Sequence, residues 1–575
     1  MHPVTVHSMR IGILLAVLGS ACAREIRSTN PDFWLELASD HFILRTDVPE
    51  EDARRAIADL ELIRNALLAA GWHGKTTSPA RIVVVAVASE RELHEFLPED
   101  WDGVARRDRF GERTILVPAD GDLLDSETVK HEVSHALLSE YLTTVPRWVT
   151  EGIACLLETL EIDRRKGQAV RGGSTWQRRN WLHNRKSIRI SLGKATAINW
   201  SLEIMGIPPD LNGAEGYAFE TLSWALVHGL VDTEPKKFDA FLAGLARGEG
   251  MWTAFSAAFP GFAEPQIAAA MQKHFADIQS TVRKAVFPVN AWQGRELLRR
   301  MPAVEVHALR AELLAAFNGR TNKQKVEEEL ARARGADPAH PWVLALSGKN
   351  ADLKLAIERH PEDWRSWEIW FDANENDIAA IRKAAELAPQ NAGVLARLAA
   401  AEQEQGQSAK AIQLGERAVA ISAGPFELHS LATVYEKNGR CAEAITNEER
   451  AAAALPDRVD PRLLSVFRKG LERITASCGK GDVNGSTAHM VEAEPVLKIC
   501  RQPLYVEPAS AKTISVQFTI REDGSVAAVA VRGASDNRQA GMLRQFVESC
   551  SFEPVIAAGK ARRVELDLTL DAFLH

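Results

Sequence analysis

The chain has 575 residues, more than one hydrophobic core usually organises, and 69 Lys+Arg against 77 Asp+Glu leave a net charge of −8. That balance offers no bulk attraction to nucleic-acid phosphates, and 46% hydrophobic with 25% charged residues excludes wholesale disorder. Six cysteines are too few for a disulfide scaffold. Residues 1–23 read as a secretory signal peptide. Arg10, with Met9 as an alternative start, precedes the apolar run Ile11–Leu18 and the small residues Gly19 to Ala23. The run is too short to span a bilayer, and no later stretch reaches 18 apolar residues, so no transmembrane span is expected.

Two ways of processing stay open. Ala21-x-Ala23 suits cleavage after Ala23, whereas Leu18-Gly19-Ser20-Ala21-Cys22 resembles a bacterial lipobox and would place a lipid anchor on Cys22. Leu18 stands four residues before the cysteine rather than the usual three. Either route predicts an exported protein, periplasmic or held at the outer membrane as a lipoprotein.

From 31 to about 285 strand and helix signals alternate. Phe42–Thr46, Arg81–Val87 and Arg113–Pro118 are β-branched or alternating runs that predict strands. Glu50–Ala70 repeats Leu, Ile and Ala at helical spacing up to Gly71. Thr128 to Leu160 predicts two helices broken near Pro146, and residues 215–285 are again helical. This is an α+β region.

Residues 300–456 carry a helical repeat of period 33, in which Gly406, Ala411 and Ala418 recur as Gly439, Ala444 and Ala451. Leu395/Leu428, Leu398/Leu431 and Ala399/Ala432 follow in register, with Glu402 where the second copy has Tyr435. The pattern resembles the tetratricopeptide repeat and implies an all-α solenoid able to bind a protein partner or substrate. Trp364, Trp367 and Trp370 read as repeat core.

Residues 457–495 lose periodicity, collect glycines and predict a linker. From 496 to 575 the order is β-β-α-β: strand Ile514–Ile520, turn Asp523-Gly524, strand Val526–Val531, a helix near Asn537–Glu548, and strand Val564–Leu570. This small α+β module is similar to the TonB C-terminal domain. Without a membrane anchor the resemblance implies bare fold reuse or peptide binding at a sheet edge. Among Cys441, Cys478, Cys500 and Cys550 the pairing stays open, Cys500 with Cys550 being one candidate.

The sharpest motif is His131-Glu132-Val133-Ser134-His135. On a helix the two histidines lie one turn apart on one face and reach one metal ion, while Glu132 is offset towards a water beside it. Imidazole and carboxylate donors with a fourth position open suit zinc. Composition alone produces H-E-x-x-H about 0.03 times in such a chain. A third ligand is available in Pro146-Arg147-Trp148-Val149-Thr150-Glu151-Gly152-Ile153-Ala154, where the proline permits a turn and a second helix returns Glu151.

The two motifs together resemble the gluzincin (MA-like) metallopeptidases over residues 31–285. The resemblance implies a zincin-like domain that hydrolyses peptide bonds, one Zn2+ held by His131, His135 and Glu151, and Glu132 as general base. Such enzymes usually add an oxyanion donor, and Tyr217, in Glu215-Gly216-Tyr217, is the candidate; a core aromatic is the other reading. Glu158 and Glu161 lack the Trp-x-x-Glu-Gly setting and read as exposed helical carboxylates, Cys155 as core, and His183 and His228 as structural histidines. The competing expectation is a non-enzymatic periplasmic scaffold with a vestigial peptidase domain.

Overall fold

In a computed structural model of the chain the residues described are 33–71, 80–99, 101–107, 112–119, 121–142, 146–173, 214–247, 251–260, 284–318, 323–347, 353–374, 377–453 and 461–478, with 497–500, 515–521, 525–532, 543–544, 547–548, 550–552, 555–557, 560–562 and 564–569 near the C-terminus. The signal segment with Cys22, and His183, lie outside them. Contacts divide the chain into two compact units, the first holding the described residues from 33 to 478 and the second those from 497 to 569. The architecture mixes small sheets with many helices, an α+β part followed by a helical part.

The first unit is built on a six-stranded mixed sheet from β1 (Leu35–Ala38), β2 (Phe42–Thr46), β3 (Ile82–Val87), β4 (Val104–Arg107), β5 (Arg113–Pro118) and a strand at Leu297–Arg300, in the order β4-β5-β3-β2-β1-(297–300). β2, β3 and β5 run parallel; β4 is antiparallel to β5 and forms one edge. The all-apolar run Ile82–Val87 is buried at every position, as a central strand covered on both faces must be. Helix α1 (Glu50–Gly71) packs against β1 and β2, helix α3 (Glu127–Tyr141) against β4 and β5, and α2 (Glu90–Phe96) follows β3.

The last strand was not anticipated and crosses the expected boundary between residues 285 and 300. Glu36 of β1 lies in register with Arg45 on one side and Arg299 on the other, bonding to each at 2.9 and 2.8 Å. Burial pushes the Glu36 carboxyl up, but the two guanidiniums prevail and hold it at about 2. Two residues later the helix Ala303–Asn318 begins. Its Val306, Ala308 and Leu309, with Trp342 and Val343, share one core with Val83, Val85 and Val87 of β3. The sheet and the start of the helical region are therefore one packed body.

In the repeat, helices Ala392–Glu404 and Ser408–Ile421 are followed 33 residues on by Pro425–Lys437 and Cys441–Ala453. The alanines at 399, 411, 418, 432, 444 and 451 are all fully buried, because helices cross closely only over small side chains. Gly406 and Gly439 turn the chain within each pair at φ of 73° and 72°, a conformation that favours glycine. Glu402, standing in for the aromatic, is buried and held by Arg382 at 2.8 and 2.9 Å and Lys410 at 2.6 Å, which keep its carboxyl at about 2.

The expected linker 457–495 is corrected in part. Pro461–Cys478 is a helix whose Phe467 and Ile474, two turns apart, are buried against the preceding repeat, and Cys478 is bonded to Cys441. Pro461 at its start and Gly470 within it hid the helical period.

In the second unit the strand Ser515–Ile520 lies between the strands Val526–Arg532 and Val564–Thr569, antiparallel to both, as the hairpin pattern requires. Short strands Leu497–Cys500 and Cys550–Phe552 also pair, with Cys500 in register with Cys550, and Cys550 is disulfide-bonded.

Candidate metal centre

Two helices meet to make the site. Ser126 caps α3 by accepting the Val129 N–H at 3.2 Å, so His131, Glu132 and His135 fall in the first turns of a well-started helix. Pro146 opens α4 (Arg147–Leu157), its carbonyl accepting the Val149 N–H at 2.8 Å. Trp148 is buried and stacks on Phe241 with ring centres 5.9 Å apart. Gly152 sits against a third helix, α5 (Ala214–Thr233): a Cβ there would stand 2.5 Å from the Ser223 carbonyl oxygen. The Pro-x-Trp-Val-x-Glu-Gly sequence is thus an assembly code. Proline starts the helix, tryptophan anchors it, and glycine lets it approach close enough to present Glu151.

Three donor atoms converge. His131 Nε2 and His135 Nε2 are 3.0 Å apart, and Glu151 Oε2 is 3.6 and 3.3 Å from them. Ligands bonded to one ion at ~2.0–2.1 Å in tetrahedral array stand ~3.3–3.4 Å apart, so the triangle matches the spacing zinc requires. The chemistry fits too. His131 Nδ1 lies 2.9 Å from Glu158 Oε2, an acceptor that keeps the proton on Nδ1 when the ring gives up its Nε2 proton to a metal and turns the Nε2 lone pair into the triangle. All three side chains are mostly buried, with 14, 21 and 13% exposure.

Electrostatics mark the same place. Burial opposes charge on His131, yet hydrogen bonds to Cys155, Glu151 and Glu158 hold its pKa well above the ordinary imidazole value. Glu151 is pushed up by burial but held well below the carboxylate range by His135 and His131. Burial raises Glu132; the two histidines and the Ala105 backbone N–H pull against it, while Glu151 adds to it. Ala105 lies on β4, so the sheet edge touches the carboxyl beside the donor triangle.

His131, Glu132, His135 and Glu151 are therefore brought together. Tyr217 lies in the first turn of α5, its side chain outside the described residues. Glu158 corrects the reading as an exposed carboxylate: it is 5% exposed and orients His131. The missed signal was spacing, since Glu158 follows Glu151 by two helical turns on one face. Glu161 is exposed, as expected, but it lies in the strand Glu161–Asp163 and not on a helix. His228 is buried and held at about 4 by burial and the Arg171 charge. The chain matches no protein-family model and no curated protein sequence.

Proposed function

We propose that the chain is an exported zinc metallopeptidase of gluzincin type, in which His131, His135 and Glu151 hold one zinc ion. The observation that carries this reading is the 3.0, 3.3 and 3.6 Å donor triangle with Glu132 beside it on the same helix. Zinc held there would supply a Lewis acid that acidifies water and polarises the scissile carbonyl. Glu132, its pKa raised by burial, accepts the proton of the attacking water and passes it to the leaving amine. Glu158 fixes the His131 ring, and Tyr217 is the candidate donor to the developing oxyanion.

The tetratricopeptide-like region, supported by the 33-residue recurrence of left-handed glycines, would engage a polypeptide substrate or protein partner. The TonB-like module would add peptide binding at an edge of its three-stranded sheet. The Cys441–Cys478 disulfide supports an oxidising compartment, as export to the periplasm or anchoring through Cys22 would provide.

The test is metal content together with cleavage of a peptide library by wild type and Glu132→Gln. One zinc per chain in both proteins, with cleavage by wild type only, is expected. Absence of stoichiometric metal overturns the metallopeptidase and leaves the scaffold reading; equal cleavage by the mutant removes Glu132 as base.

A further inference from the structure

His131 has a second side. Its Nδ1 faces Glu158 Oε2 at 2.9 Å and the Cys155 sulfur at 4.0 Å, and the three donor atoms lie within 4.8 Å of one another. Cys155 is in no disulfide and is fully buried; Glu158 is 5% exposed. Cys155 and Glu158 follow Glu151 at four and seven residues, so one stripe of α4 meets both nitrogens of the ring.

We propose that His131 Nδ1, Cys155 and Glu158 form a second, inner cation site for soft divalent metals of the cadmium class, back to back with the outer triangle. Bonds of ~2.0–2.1 Å to nitrogen and oxygen and ~2.3 Å to sulfur need donor separations of ~3.3–3.6 Å, which the observed 2.9 and 4.0 Å straddle. Charge also balances. The thiolate and the carboxylate neutralise a dication; the thiol proton goes to solvent, and the ring proton moves from Nδ1 to Nε2, so the imidazole stays neutral. The thiolate–imidazole pair favours soft metals over magnesium or calcium, which require oxygen donors. A neutral imidazole has one lone pair, so the two sites compete for His131, and filling the inner set draws the ring away from the outer one. The competition depends on the outer set holding zinc; the inner site itself does not.

Cadmium titration of the full-length protein tests this by the ultraviolet thiolate-to-cadmium charge-transfer band. In metal-free protein the band is expected to grow to one equivalent, to vanish in Cys155→Ser, and to need at least tenfold more cadmium in Glu158→Gln, each variant first matched to wild type by circular dichroism. In zinc-loaded protein the band is expected to rise in step with zinc captured by a chromophoric chelator. A band that survives Cys155→Ser, or zinc release without any band, overturns the inner site. A protein that takes no zinc yet shows the Cys155-dependent band refutes the metallopeptidase reading and leaves the inner site standing.

Discussion

Gly152→Ala isolates the contact that positions Glu151. The added Cβ would stand 2.5 Å from the Ser223 carbonyl oxygen, 2.5 Å from Val227 Cγ2 and 2.9 Å from the Ser223 carbonyl carbon. Val227 can rotate, but the Ser223 atoms are backbone within α5. Ordinary contact at about 3.4 Å requires α4 and α5 to part by roughly 0.9 Å, an overpacking strain of about 1–3 kcal/mol. The same shift carries Glu151 well beyond the ~0.2 Å within which metal–ligand distances are normally held. The expected result is a lower urea midpoint together with zinc affinity weakened at least tenfold, read by competition with a chromophoric chelator. An unchanged urea midpoint and zinc affinity would refute the argument, because the helices would then have room that the glycine contact denies. Loss of stability with unchanged zinc affinity would show that Glu151 is positioned independently of the α4–α5 contact.

Three further outcomes are expected. Glu158→Gln leaves the fold intact but weakens zinc binding by about 10–100-fold, because the His131 ring loses its charged acceptor; isothermal titration with zinc measures it. Glu36 titrates at about 2 instead of 4.5, so it contributes up to about 3 kcal/mol that is present above pH ~4.5 and lost as pH falls towards 2. Glu36→Gln should be less stable at neutral pH and should flatten that acid limb in urea unfolding; an unchanged limb would mean that Arg45 and Arg299 do not act on it. Burial beside Glu92 raises Asp47 to about 8, so the fold loses stability as pH climbs from about 4 through 8. Asp47→Asn keeps an oxygen for the Ala88 N–H and should be the more stable protein at pH 9; a less stable variant would contradict the raised pKa.

What could be read from the sequence follows the period of each element. His131, His135 and Glu151 were legible because two helices with Ser126 and Pro146 at their starts fix which residues share a face. The role of Glu158 was only half legible: its spacing from Glu151 puts both on one face, but its burial depends on α3 crossing α4, a tertiary fact. Leu297–Arg300 was invisible for a different reason. Four residues reading Leu-Leu-Arg-Arg show no alternation, and their partner β1 lies some 260 residues away in sequence. The repeat was readable from its alanines and glycines. The buried Glu402 needed the structure, because a carboxylate tolerates that position only where Arg382 and Lys410 reach it.

The strand at Leu297–Arg300 changes what the helical region can do mechanically. Only two residues join it to the helix Ala303–Asn318, and that helix is seated on Val83, Val85 and Val87 of the sheet. There is no hinge at this junction, so the sheet carries the first helices of the region as a rigid mount rather than a swinging arm. Under the proposed function, a polypeptide held by those helices would be measured against the donor triangle over a set span. For the same reason a fragment ending at residue 285 bares the backbone of β1 as an open edge and strips the cover from Val83, Val85 and Val87, surfaces on which its copies would pair with one another.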